Sequence, residues 1–168
     1  MNAKSSSKKE QEEQVFITRD FDAPRDVVFK AWTDCGRLMR WWGSQGFTTP
    51  FCKIDLQPKG VFNYCMRSSE GRDYCGRSVY REIVEPEKII FTDSFADEKG
   101  NPVPATYYGM SPDWPQEMLV TVTFTEQDGE TKLTLQHDLG PVPASERDMC
   151  RQGWSESLDK LARDLAKA

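Results

Sequence analysis

The C-terminal part of this sequence constrains the fold most, because two alternating strand patterns there lead into one long amphipathic helix. Residues 118–125 and 132–137 alternate apolar and polar positions, as strands with one buried face do. Between them, Asp128 and Gly129 form a typical hairpin turn. The apolar stripe of the helix consists of Met149, Cys150, Gly153, Trp154, Ser157, Leu158, Leu161 and Leu165. A curved antiparallel sheet closed by such a helix tends to enclose a cavity, which suggests a ligand.

The preceding residues add five more strands and two short helices. Strands are predicted at residues 15–21, 48–56, 61–67, 74–84 and 88–95. The first helix begins near Pro24, whose missing N–H is harmless in a first turn, and the second covers residues 37–42. This order is neither alternating β and α nor all β, so it predicts an α+β fold with helices on one side of an antiparallel sheet.

Length and charge limit the classes of protein. The 168 residues suffice for one domain with a sizeable core, expected at residues 14–168 behind a disordered tail of residues 1–13. A net charge of −5 argues against a nucleic-acid-binding surface, which needs clustered basic residues. No apolar run approaches the ~20 residues that span a bilayer. We therefore expect neither a nucleic acid nor a membrane as partner, and leave monomer and homodimer open.

The N-terminus and the cysteines bear on the cellular location, and the cysteines and the single histidine bear on metal binding. The polar N-terminus has no apolar signal-peptide core, which predicts a cytoplasmic protein. In that compartment the five cysteines are expected to be free thiols. His137 has no cysteine at metal-ligand spacing. We therefore expect no metal and no cofactor.

Several short strings, taken in order, resemble one known superfamily. The strongest are residues 22–33, which contain Asp22, Ala23 and Pro24, and residues 40–43, which read Arg-Trp-Trp-Gly; supporting strings lie at 54–60, 79–83, 131–135 and 153–161. Together they are similar to the SRPBCC superfamily (START and birch-pollen-allergen-like). Within it, they resemble the branch named for the C-terminal domain of the heat-shock-protein-90 ATPase activators.

The resemblance implies a helix-grip fold, with an antiparallel sheet of about seven strands wrapped around a long C-terminal helix. It also implies an elongated cavity between sheet and helix. Members of the superfamily include lipid and polyketide binders and aromatase/cyclases. The residues lack a counterpart of the N-terminal domain found in the eukaryotic chaperone activators, which makes a co-chaperone role the least favoured.

The candidate ligand-binding residues lie on the last helix, on the strand face opposite it, and at the end of the second short helix. They are Trp42, Phe62, Tyr64, Met66, Tyr80, Val120, Val122, His137, Met149, Cys150, Gly153 and Trp154. Tyrosine hydroxyls in an apolar pocket need partners and are suited to orient a polar group on a ligand. For Trp154, a core position without ligand contact is favoured, because aromatic residues at helical spacing usually pack in the protein core.

Three functions follow, in order of preference. The first is binding of a small apolar or aromatic, lipid- or polyketide-like molecule in the cavity. The second is a cyclase, dehydratase or hydrolase in which His137, Tyr64 or Tyr80 handles protons; the absence of any catalytic motif makes an enzyme less favoured. The third is a module that stimulates the chaperone ATPase. Residues 97–115 carry four prolines and three aromatics, and predict either a lid over the cavity or plain cover for the sheet edge.

Overall fold

In the computed structural model, which describes residues 13–167, seven antiparallel strands form one sheet in the order β1-β7-β6-β5-β4-β3-β2. The strands are β1 Gln14–Phe21, β2 Thr48–Ile54, β3 Val61–Arg67, β4 Asp73–Val84, β5 Lys88–Ala96, β6 Met118–Gln127 and β7 Glu130–Asp138. β1 and β2 are consecutive in the chain yet occupy opposite edges, so the helices between them cross the whole sheet. The predicted α+β antiparallel architecture is confirmed.

The helices lie where the sequence predicts them, except that both ends of the second helix differ. They are α1 Arg25–Thr33, α2 Cys35–Leu38 and α3 Ala144–Ala166, with a 3₁₀ turn at Ala105–Tyr108. The second helix therefore begins before residues 37–42 and ends earlier than predicted. The predicted tail lies outside the described residues except for Glu13, whose carbonyl accepts hydrogen bonds from the backbone N–H groups of Leu139 and Gly140.

The main core lies between the helices and the inner face of the sheet, which is the face toward α3. Leu158 and Leu161 of α3 are fully buried in it. Trp32 of α1 stands at its centre, 4.8 Å from the ring of Trp41 and stacked 5.9 Å from Trp154 of α3. Aromatic pairs at these separations add to the stabilisation from burial itself, so this cluster fixes α1 and α3 against each other.

The cysteines correct one expectation from the sequence. Cys35 of α2 is bonded to Cys52 of β2, and Cys65 of β3 to the directly paired Cys75 of β4. The prediction of five free thiols is therefore wrong for these four, because the pairing depends on strand register and helix docking. Disulfides persist in oxidising compartments, which counts against the predicted cytoplasmic location. Separately, none of the helices in the described residues is long and apolar enough to cross a membrane.

Candidate functional site

A cavity of ≈ 590 Å³ lies between the sheet and the first half of α3. This volume falls within the range of about 300–1,000 Å³ typical of small-molecule sites. Three parts of the chain line it: α3, the inner sheet face from β3 to β7, and the segments that follow α2 and β5. Apolar surface dominates the wall, and the polar groups on it are few.

Most of the predicted ligand-binding residues lie on this wall. They are Trp42, Tyr64, Met66, His137, Met149, Cys150, Gly153 and Trp154. Met149 is 64% exposed and therefore lies at the rim. The remaining four, Phe62, Tyr80, Val120 and Val122, lie in the packed core rather than on the cavity wall.

Asp93 of β5 places a carboxyl on the wall. Its Oδ1 accepts hydrogen bonds from the hydroxyls of Tyr64, at 3.2 Å, and Ser78, at 2.9 Å. Burial raises the pKa of Asp93 to about 6, although both hydroxyls favour the charged form. Burial, and then the charge of Asp93, raises the pKa of Tyr64 well above its ordinary value. This pair thus combines a carboxyl that titrates near neutrality with a phenol that stays protonated.

The sequence reasoning missed Asp93, although a signal for it exists. Ile89 and Phe91 of β5 lie in the core, and Phe95 lines the cavity. An acidic residue that continues the inward face of such an alternation is forced out of water. Buried carboxylates are rare unless paired, so the break in the pattern at position 93 was informative.

His137 of β7 lies beside α3 and is almost fully buried. Its Nδ1 accepts a hydrogen bond from Nε1–H of Trp154 at 3.0 Å, and the Sγ of Cys150 lies 3.7 Å from the same nitrogen. Burial lowers the pKa of His137 to about 4, so the ring is neutral at pH 7. Trp154 packs against the core and also lines the cavity.

Cys150 is the one unpaired thiol among the described cysteines. Burial, and then the charge of Asp93, raises the pKa of its thiol to about 12. A thiol in that state is a poor nucleophile, because the thiolate is the reactive form. Its nearness to His137 does not make it an activated pair, since the histidine itself is held neutral.

Two sets of hydrogen bonds hold residues 97–115 against the protein, one at each end of the cavity. The Tyr108 hydroxyl donates to the carbonyl of Ala96 and accepts from the N–H of Cys75. At the other end, Oε1 of Glu146 on α3 accepts from Nε1–H of Trp114, at 2.7 Å, and from the N–H of Ser111, at 2.9 Å. The segment thus packs against the protein and supplies Tyr108 and Trp114 to the cavity wall.

Within the described residues, no group of three histidine, cysteine or acidic side chains is arranged to hold a metal ion. The wall offers hydrogen-bonding groups and aromatic rings instead. The arrangement can enclose an apolar body, and it can hydrogen-bond a polar group at Asp93 or Tyr64.

Comparison with known proteins identifies relatives of this fold. The family model described as Activator of Hsp90 ATPase homolog 1-like protein matches residues 22–166. A solved Mycobacterium smegmatis protein is 26% identical, with a TM-score of 0.73 over 92% of this chain and 89% of its own. The AHSA1 protein from Silicibacter pomeroyi is 24% identical, with a TM-score of 0.71 over 91% and 97%. An Arthrobacter aurescens protein is 22% identical, with a TM-score of 0.76 over 94% and 88%. No curated protein matches the chain.

Proposed function

The chain belongs to the family of activator of Hsp90 ATPase homolog 1-like proteins, and we propose that its cavity binds a small apolar or aromatic molecule of lipid- or polyketide-like type. The observation that carries the proposal is the ≈ 590 Å³ cavity between sheet and α3, walled mainly by apolar side chains with a few convergent polar groups. Sites with this composition bind by burying apolar area, and their polar groups set the orientation of the ligand.

The aromatic lining supports an aromatic or extended apolar ligand in particular. Trp42 and Trp154 meet edge to face at 5.3 Å, and Trp42 meets Tyr64 at 5.2 Å. All three rings also border the cavity. A flat ligand can add to this network by stacking or by edge-to-face contact, which contributes beyond area burial alone.

A ligand screen by thermal shift and native mass spectrometry tests the proposal. Cys150→Phe places a ring on the cavity wall, and Leu119→Phe places the same ring on the outer, exposed side of β6 as a matched control. We expect ligands that raise the melting temperature of the wild type and of Leu119→Phe but not of Cys150→Phe. Binding that survives in Cys150→Phe would locate the ligand elsewhere.

One observation favours a second candidate, an enzyme of the cyclase, dehydratase or hydrolase type. Asp93, Tyr64 and His137 converge on one cavity, and general acid–base catalysis works best with a pKa near the operating pH. Asp93, with its pKa at about 6, fits that requirement better than His137. Tyr80 lies in the core cluster and not on the cavity wall, which removes it from the candidates.

A bound ligand identified by the screen would separate the two candidates. The ligand is incubated for a long time with the wild-type protein and, separately, with Asp93→Asn, and its mass after each incubation is compared with its starting mass. Binding alone predicts an unchanged ligand in both. Catalysis predicts a product from the wild type, and an unchanged but still bound compound with Asp93→Asn.

A further inference from the structure

The charged side chains on the cavity wall, among the residues that the structure describes, are both acids. Asp93 and Glu146 line the cavity, whereas no described lysine or arginine does. His137 also lines it, but burial lowers its pKa to about 4, so the ring is uncharged at pH 7. A cationic group in the cavity would therefore meet opposite charge, and an anionic group like charge.

Asp93 has no cationic partner within residues 13–167. The ion pairs in this part of the chain involve other acids. Its hydrogen bonds come instead from uncharged donors, which are the hydroxyls of Tyr64 and Ser78 and the backbone N–H of Ser94. Because the pKa of Asp93 is about 6, the carboxylate is mostly ionised at pH 7, and its charge is not neutralised.

The carboxylate of Asp93 can accept a further hydrogen bond. A carboxylate has about four acceptor positions, so these three donors leave about one of them open. The Tyr64 hydroxyl lies 3.2 Å from Oδ1 and 3.4 Å from Oδ2, and its single proton cannot fully satisfy both oxygens. Asp93 is only partly buried, and it lines the cavity. A ligand in the cavity can therefore contact this side chain.

The glycine at position 76 allows Tyr64 to reach Asp93. Tyr64 of β3 pairs with Gly76 of β4, and Gly76 pairs with Phe95 of β5. A Cβ at Gly76 would overlap with the Tyr64 hydroxyl and the adjoining ring carbons, so the ring crosses β4 in the space that glycine leaves. Phe95 follows Asp93 two positions later on the same strand face and also lines the cavity. Aromatic rings attract a cation above their faces, so these surroundings suit a cation better than an anion.

On the basis of the proposed function, we infer that the cavity takes an aromatic molecule that bears a protonated amine, and that the ammonium group binds the carboxylate of Asp93. The aromatic body lies among the rings of Trp42 and Trp154, and Trp42 in turn contacts Tyr64. A buried ion pair is costly when both charges must lose their water on association. Here folding has already desolvated Asp93, so mainly the ammonium group loses water when the ligand binds.

Three probes of nearly equal size separate the effect of charge from that of shape. 2-Naphthylmethylamine is a cation at neutral pH, 2-naphthylmethanol is uncharged, and 2-naphthoate is an anion. Calorimetry at pH 7 measures their affinities for the wild-type protein. Hydrogen bonds to charged groups are about twice as strong as neutral ones, so we expect the amine to bind about tenfold more tightly than the alcohol. The carboxylate should bind more weakly than either.

Three variants locate the charge that selects the amine. Asp93→Asn keeps the shape of the side chain and removes its charge, so the preference for the amine over the alcohol should fall to about one. Asp20→Asn changes the net charge equally at an exposed position on β1, outside the cavity wall, and should keep the tenfold preference. Cys150→Phe, which places a ring on the cavity wall, should weaken the binding of amine and alcohol alike.

The outcomes distinguish this inference from the function on which it rests. Equal affinity for amine and alcohol, or an unchanged preference in Asp93→Asn, overturns the inference and leaves ligand binding in place. An equal loss of preference in Asp20→Asn overturns it too, because the net charge of −5 would then be what attracts the amine. Failure of all three probes to bind the wild type counts against both. If Asp93→Asn does not fold, the three probes on the wild type, Asp20→Asn and Cys150→Phe still decide.

Discussion

The two halves of α3 face the same sheet, but only one of them is closely packed against it. In the second half, Leu158 and Leu161 are fully buried. In the first half, Met149, Cys150 and Gly153 border the cavity. Stability is therefore concentrated in the second half of the helix, and the first half is free to carry groups that line the cavity. Trp154 joins the two, because it stacks on Trp32 and also donates to His137.

The largest expected effect on stability comes from truncating a side chain in the second half of α3, which is closely packed. Leu158→Ala removes a fully buried side chain and should lower the free energy of unfolding by about 2–5 kcal/mol. Met149→Ala, at the exposed rim of the cavity, should change it by no more than about 0.5 kcal/mol. Urea denaturation of both variants measures the difference. Similar losses in the two would show that both halves of α3 contribute equally to stability.

The polar wall of the cavity predicts two opposite dependences on pH. The pKa of Asp93 is raised from 3.8 to about 6, so the native state holds a proton that the unfolded state has lost. Its contribution to stability therefore falls as pH rises from about 4 to 6. The pKa of His137 is lowered from 6.5 to about 4. Here the unfolded state holds the extra proton, so this contribution rises with pH over nearly the same window.

Single variants should therefore uncover slopes that offset each other in the wild type. Asp93→Asn should make the free energy of unfolding rise more steeply between pH 4 and 6.5, and His137→Phe should make it fall. Each change is of the order of 1–3 kcal/mol across the window. Denaturation series at several pH values measure the slopes, with Met149→Ala as a control that leaves the wild-type profile unchanged. A change of the same sign in both variants would contradict the prediction.

The contrast between the halves also explains what the sequence could predict. The periods of α3 and of β6 and β7 are local patterns, so they located the helix, the strands and the face that each buries. These local patterns could not predict which part of the inner sheet face α3 covers. Phe62, Tyr64 and Val120 all belong to the core on the inner face, yet of the three Tyr64 alone also lines the cavity, because strand register and helix docking decide where packing ends and the cavity begins.

The cysteine pairs and the fastening of residues 97–115 were hidden from sequence for the same reason. Cys35 and Cys52 lie 17 positions apart and meet only because α2 docks on β2. Glu146 finds Trp114 only because the long segment folds back to the start of α3. Asp93 differs from these, because its place in the β5 alternation was readable and was overlooked.

A smaller effect on stability is expected where residues 97–115 contact the first half of α3. Glu146→Ala removes the acceptor of Trp114 Nε1–H and of the Ser111 N–H. It should cost about 1 kcal/mol and speed amide hydrogen exchange in residues 106–115. Glu146→Gln keeps an oxygen acceptor and should retain most of the protection. If exchange in this segment does not change in Glu146→Ala, other contacts hold the segment in place, and plain cover for the sheet edge is favoured over a lid.

The smallest expected effect on stability concerns Gly153, in the first half of α3. Alanine there gains about 1 kcal/mol of helix propensity, but its Cβ would lie 3.0 Å from Oγ of Ser44 across the cavity wall. We expect a net stabilisation of only a few tenths of a kcal/mol in Gly153→Ala, and about 1 kcal/mol when Ser44→Ala supplies the room. A denaturation cycle over the two single variants and the double variant measures this coupling. Full stabilisation in Gly153→Ala alone would mean that Ser44 yields freely, and that glycine is kept there for the space it leaves in the cavity rather than for packing.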